Sequence, residues 1–271
     1  MLNLRALLKS AASAVGYEVR RERQIRELVA LEALSLLRSD GNSELSSFLA
    51  YVFANKDKSH AQLFQDLFVL FSLQEKRGGY FVEFGAADGL FLSNTALLED
   101  EYGWNGIVAE PSKNWEGALK KNRRCAVDLR CVWRTSGEKL TFTETENAEF
   151  STISDFKSGD YHDRRKAREY EVETVSLNDL LCHHGAPREI DYLSVDTEGS
   201  ELAILKELNF TKWSFKIITV EHNFQMQRNA LHSLLTSHGY VRVFESISSF
   251  DDWYLNQDLL VGRAATESSA S

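Results

Sequence analysis

The sequence predicts an α/β protein whose sheet is largely parallel and covered on both faces. Three observations predict it. From Tyr80 onward, short β-rich runs alternate with helical ones, the grammar of strand–helix–strand crossovers. Hydrophobic residues make up 43% and aromatics 11% of the 271 residues, enough for a large core. The only prolines are Pro111 and Pro187, so no proline-rich linker divides the chain.

The elements follow in order. Residues 1–58 read as helix and form an N-terminal helical extension. In "QIRELVALEALSLLRS", Ile25, Leu28, Val29, Ala33 and Leu36 share one helical face, and "SELSSFLAYVFA" continues in the same vein. Residues 59–262 form the main domain, and 263–271 are expected to be a disordered tail. The domain opens with the helix "HAQLFQDLFVLFSL" before Gly78-Gly79. Strand "YFVEF", helix "NTALLEDEYG", strand "GIVAE" and helix "SKNWEGALKKN" come next. "VDLRCVW" and "KLTFTE" read as strands. After a polar stretch come strand "YEVETV", helix "SLNDLLCHH", strand "IDYLSVD", helix "SELAILKEL", strand "FKIITVEHN" and helix "QRNALHSLLTSHG". "YVRVFE" and "WYLNQDLLVG" close the pattern as two strands with no long helix between them, which predicts an antiparallel pair at one edge.

A formal net charge of −9 argues against nucleic acid as a partner, although Arg5, Lys9, Arg20, Arg21 and Arg23 make the N-terminus locally basic. The three cysteines form no CxxC pair, and their odd number fits a reducing compartment, so the expected location is cytoplasmic. No apolar run reaches the ~18 residues of a membrane-spanning helix. Arg5 and Lys9 interrupt the apolar start, which reads as a retained amphipathic helix. The N-terminal helices have three uses open to them: docking on the domain, pairing two copies as a homodimer, or peripheral contact with a membrane through the basic face. Docking or dimerisation is the commoner outcome.

Ligands of such sheets bind beyond the carboxyl ends of the strands. Two features stand there. "FVEFGAADG" is a strand entering a glycine turn that carries Glu83 and Asp88 between and beside Gly85 and Gly89. "GIVAEP" is a strand ending in Glu110, at the distance where an acid grips ribose hydroxyls. Together they form a nucleoside-binding unit that NAD or S-adenosylmethionine could occupy. Charge discriminates: a pyrophosphate near Glu83 and Asp88 meets repulsion of ~1 kcal/mol per charge even at full water screening at 4 Å. The ammonium and sulfonium of S-adenosylmethionine suit the same acids. The bland alternative is that Asp88 caps its own turn and Glu83 pairs with a lysine.

The segments "AQLFQDLFVL", "GGYFVEFGAADGLFLSNTALLE", "GWNGIVAEP", "EFSTISDF", "VETVSLNDLL", "IDYLSVDTEGSELAIL" and "VEHN" resemble the FkbM family of class I methyltransferases, in the family's order, over roughly Ser59 to Gly262. The resemblance implies a seven-stranded Rossmann-like class I methyltransferase sheet that binds S-adenosylmethionine. It implies that Gly85, Asp88 and Gly89 wrap the methionine part, with Glu83 behind them and Asn94 near the same site. Glu110 would take the ribose hydroxyls, and Cys131 and Val132 would lie near the adenine. It further implies O-methylation of a saccharide or a related small metabolite.

A sugar hydroxyl is a poor nucleophile, so a base or a metal ion should assist its attack. Asp196 in "SVDTEGSE" ends a strand and is the first candidate; helix capping by the same stretch is the bland alternative. "TVEHN" offers Glu221 and His222, which a strand points to opposite sides. Histidine has the unperturbed pKa best suited to proton transfer at neutral pH. Asp196, Glu221 and His222 are also the candidates for a divalent metal, without a supporting short spacing. Arg164, Arg165, Lys166 and Arg168 in "KSGDYHDRRKAREYE" read either as a solvated loop or as a lid attracting a nucleotide- or lipid-linked acceptor. Trp104, Trp115 and Trp133 read as packing residues. The competing functions are an NAD-dependent oxidoreductase and a non-catalytic cofactor-binding scaffold.

Overall fold

The computed structural model describes residues 44–144, 152–153, 168–197 and 199–261. Residues 1–43 and the tail lie outside it, as do Arg164, Arg165 and Lys166. The described chain begins with α1 (Glu44–Asn55) and α2 (Gln65–Ser72). It continues through β1 (Tyr80–Phe84), α3 (Ala96–Tyr102), β2 (Asn105–Ala109), α4 (Glu116–Asn122) and β3 (Ala126–Asp128). Then come β4 (Cys131–Trp133), β5 (Lys139–Glu144), β6 (Thr152–Ile153), β7 (Arg168–Ser176) and α5 (Leu177–His183). The last elements are β8 (Glu189–Val195), α6 (Glu201–Lys206), β9 (Ser214–Glu221), α7 (Arg228–Ser237), β10 (Tyr240–Val243) and β11 (Asp251–Asn256).

Seven strands form one sheet in the order β10-β11-β9-β8-β1-β2-β3. The run from β9 to β3 is parallel, and β11 is antiparallel to both its neighbours. Consecutive residues of the central strands feed opposite faces, because side chains alternate along a strand. Val82, Leu193 and Ile218 enter one core layer, with Leu180 of α5, Ile204 of α6 and Leu235 of α7. Phe81, Tyr192 and Ile217 enter the other, with Phe48 of α1, Phe68 of α2 and Leu98 of α3. α1 therefore shares a core with the domain: Phe48 stacks on Phe244 at 5.2 Å and meets Trp253 edge-on at 5.9 Å. No helix among the described residues is long and apolar enough to cross a membrane.

Three expectations need correction. "VDLRCVW" is two strands in two sheets, because Arg130 folds back onto Asp128 through a 2.9 Å bond to Oδ1 and a 2.5 Å bond to Oδ2. β4 then joins a second sheet of order β4-β7-β5-β6, which the alternating pattern did not distinguish from the main one. The expected final strand stops at Asn256, and residues 257–261 turn helical.

Candidate active site

The parallel strands deliver the loops after β1, β2, β8 and β9 to one edge of the sheet. β11, running the other way, begins there, with Asp251 paired to Glu221. Gly85 has φ +83°, and a Cβ on it would lie 1.7 Å from the Asp196 carbonyl oxygen. Only glycine fits that approach. The Asp196 amide in turn donates to the Phe84 carbonyl at 3.2 Å, so the loops after β1 and β8 touch.

The glycine loop is held by its own acids. Asp88 Oδ1 accepts from the amides of Leu90 (2.8 Å) and Phe91 (2.7 Å). Glu110 Oε2 accepts from Ala87 (3.0 Å) and Oε1 from Ser112 (2.8 Å). Asn94 donates through Nδ2 to Ser194 Oγ at 2.9 Å, and its Oδ1 is buried with no hydrogen-bond partner.

Glu83 corrects the charge argument. Its buried carboxylate accepts from the Asn94 amide (2.7 Å), Thr95 Oγ1 (2.5 Å), Ser93 Oγ (3.0 Å) and Arg123 (3.2 Å). Arg123 is itself buried and also reaches Glu99 (2.5 Å), Thr95 Oγ1 (2.8 Å) and the Gly89 carbonyl (3.3 Å). Removing a carboxylate from water without a partner costs several kcal/mol. The sequence supplies an arginine from the end of α4 rather than a lysine, and both Glu83 oxygens are engaged within the protein.

The ends of β8, β9 and β11 behave differently. Asp196 is half-buried and shares a hydrogen bond with Glu221, so one of the two carboxyls holds a proton. Burial pushes the Asp196 carboxyl up to about 6; the Glu221 bond opposes the rise and the charges of Glu201 and Glu83 add to it. Asp251 is pushed up to about 7 by burial, against a 2.7 Å bond from Gln65 Nε2, with Asp196 repelling its charge. Glu201 is occupied elsewhere. Its Oε1 accepts from Thr197 and from the Gly199 amide, and its Oε2 from Gln227 (2.9 Å), which shapes the turn after Asp196. The site can thus offer a carboxylate basic enough to take a proton near neutral pH.

His222 is not brought to Asp196. It is buried on the opposite face, where Nδ1 accepts from the Phe224 amide (3.0 Å) and Nε2 lies 3.7 Å from Asp252. Asp252 is bridged there by Arg228 (2.8 Å) and Arg242 (3.3 Å). Burial lowers the His222 pKa. Its expected role as a base beside the site is corrected for that reason. Cys131 and Val132 are also buried, inside the core layer that holds Phe84 and Val195. Burial pushes the Cys131 thiol up to about 12, with the Glu110 charge adding. Among the described residues, no group of three His, Cys, Asp or Glu is arranged to hold a metal ion, Asp196, Glu221 and His222 included.

Asp251, Gln65 and Arg123 were missed by sequence reasoning. One signal was present: "FDDWYLN" heads a strand with two adjacent acids, so strand alternation sends Asp251 and Asp252 to opposite faces. Nothing local announced that β11 would lie against β9.

Sheet order, the glycine loop and the acidic strand ends define a seven-stranded α/β enzyme of the methyltransferase class. The family model for the methyltransferase FkbM domain matches residues 83–251, well over half of the chain. The chain belongs to the FkbM methyltransferase family, and the expected oxidoreductase alternative falls with that assignment. No curated protein sequence matches the chain. Among solved structures, it is similar to the methyltransferase FkbM from Methylobacillus flagellatus KT, at 11% identity and TM-score 0.40, over 78% of this chain and 60% of that one. It is also similar to precorrin-6y C5,15-methyltransferase from Geobacter metallireducens GS-15, at 9% identity and TM-score 0.38, over 65% and 70% of the two chains. A human methyltransferase 10 domain containing protein shows 13% identity and TM-score 0.38, over 85% and 96%. The assignment rests on the family model alone.

Proposed function

We propose that the protein is an S-adenosylmethionine-dependent O-methyltransferase acting on a hydroxyl of a saccharide or related small metabolite, free or nucleotide- or lipid-linked. The observation that carries the reading is Asp196. It ends β8 against the glycine loop, in hydrogen-bond contact with Glu221 and with its carboxyl raised to about 6.

The residues present fit the cofactor. The Asn94 Oδ1 is a buried acceptor lacking a donor, which an ammonium group would supply. Asp88 stays at the loop surface after closing its turn, and Glu110 stands at the end of β2. Gly85, Asp88, Gly89 and Asn94 would hold the amino-acid part of the cofactor and Glu110 its ribose hydroxyls; Glu83 acts behind them by fixing residues 93–95. When bound, the cofactor supplies a methyl group activated by a sulfonium. The chain's own part is to align the acceptor and to take its proton. As the acceptor oxygen bonds to the methyl carbon and the methyl–sulfur bond gives its electron pair to sulfur, Asp196 would take the hydroxyl proton at a carboxylate oxygen, and Glu221 would hold Asp196 by a shared proton. Arg168 is an exposed residue of β7, and its charged neighbours in the insertion lie outside the described residues.

Calorimetric titration with S-adenosylhomocysteine, with NAD as control, tests the cofactor. Binding of the homocysteine compound alone is expected, and binding of NAD alone would overturn the reading. Methyl transfer from S-adenosylmethionine to a panel of sugars and alkyl glycosides, repeated with Asp196→Asn, separates an enzyme from a binding scaffold.

A further inference from the structure

Five large apolar side chains stand exposed among the described residues: Leu90, Phe91, Phe224, Met226 and Val261. Four of them sit on just two loops, those that leave β1 and β9. In the sheet, β8 lies between these two strands and leads directly into Asp196. Neighbouring strands are ~4.8 Å apart, so the two loops start ~10 Å apart on either side of the base. Scattered exposed apolar residues are ordinary; a group concentrated around a reactive carboxylate marks a binding surface.

The loop after β9 is built to display its apolar residues. Phe224 is 72% exposed and Met226 98%. Asn223 and Phe224 take φ +43° and +56°, two successive non-glycine residues in the left-handed region, a strained arrangement that only surrounding structure can hold. His222 is that structure. Buried itself, it anchors its amide to the Phe250 carbonyl (2.9 Å) and accepts from the Phe224 amide at Nδ1 (3.0 Å). Its carbonyl accepts from Gln225 (2.7 Å), and its ring meets the Phe224 ring edge-on at 5.4 Å. The opposing loop shares the feature: Ala87 and Leu92 take φ +46° and +57°.

We propose that Phe224 and Met226, held out by His222, form with Leu90 and Phe91 an apolar clamp for an acceptor that carries a hydrocarbon segment beside its reacting hydroxyl. The clamp determines acceptor specificity, and His222 is its positioning residue rather than a base. The inference rests on the methyltransferase reading of Asp196 and narrows its acceptor to an amphipathic molecule. A membrane or a protein surface could also cover apolar side chains. An acceptor is favoured because the residues flank Asp196 on both sides, where the reacting hydroxyl must lie.

The test titrates n-alkyl β-glucosides, from methyl to octyl and below their micelle concentrations, onto protein saturated with S-adenosylhomocysteine. Affinity is expected to rise with chain length, by up to about fourfold per methylene where burial is complete. Phe224→Ser with Met226→Ser should flatten that rise while the affinity for S-adenosylhomocysteine stays within about twofold, which shows the variant folded. A flat series in the native protein overturns the clamp, as does an unchanged slope in the folded variant. Sedimentation with phosphatidylcholine vesicles that the same variant abolishes, without a chain-length gain, overturns it in favour of a membrane surface. Failure to bind S-adenosylhomocysteine would instead refute the cofactor reading, which the first titration reports separately.

Discussion

Two groups of buried carboxylates sit a few residues apart at one edge of this sheet and are treated in opposite ways. At the end of β1, Glu83 and Glu99 share Arg123, and Glu83 has further donors at Ser93, Asn94 and Thr95. At the ends of β8, β9 and β11, Asp196, Glu221 and Asp251 meet each other, with Gln65 donating to Asp251. The first arrangement neutralises charge and fixes backbone. The second raises proton affinity, which is how a carboxyl becomes useful as a base near neutral pH. The difference teaches that burial alone does not mark a reactive acid; the identity of its neighbours does.

The comparison breaks most directly at Asp196. Asp196→Asn is expected to lower kcat by about 10³-fold or more, within the upper range for a general base, while S-adenosylhomocysteine affinity changes by no more than about threefold. Turnover near the native level would erase the distinction between the two groups. At the other group, Arg123→Met leaves Glu83 and Glu99 buried without a cation. A loss of about 3–5 kcal/mol in urea unfolding is expected, partly restored by adding Glu83→Gln. A change below 1 kcal/mol would mean the network is not the scaffold described.

Gly85→Ala acts where the two groups touch, forcing a side chain against the Asp196 carbonyl at φ +83°. It should cost about 2 kcal/mol and reduce turnover, since it displaces the proposed base. A pH series sharpens the contrast further. The folded-state pKa of Asp251, about 7, lies above its ordinary 3.8, so its favourable contribution is complete below pH ~4 and is lost as the pH rises through 7. Asp251→Asn stays neutral throughout. It should match the native protein near pH 4 and exceed it at pH 8, by up to the ~4 kcal/mol that a shift of about three pK units carries, read from denaturant midpoints at the two pH values. A gain equal at both would show that the acid does not titrate there.

Much of this was legible in one dimension. Strand and helix alternation, the glycine turn, Glu110 at the end of its strand and Asp196 at the end of another are local patterns. So was the opposite orientation of Glu221 and His222. What local pattern could not say was which of those two faces holds the site, because that depends on β11 packing against β9. Nor could it name the partner of Glu83, which arrives from a helix end forty residues later. The break inside "VDLRCVW" hid for another reason: every residue around Asp128 and Arg130 suits a strand, and the turn is made by the ion pair between those two. That Asp88 also closes its own turn, through the amides of Leu90 and Phe91, is one of the two readings the sequence left open.

The slot that β11 fills between β9 and β10 has a consequence for biosynthesis. Until residue 256 has left the ribosome, the edge of β9 has no partner on that side, and an open β edge invites pairing with other chains. The acidic site is likewise incomplete until Asp251 emerges. A nascent chain of this protein therefore gains its protected sheet edge and its full set of site carboxylates within the same few codons.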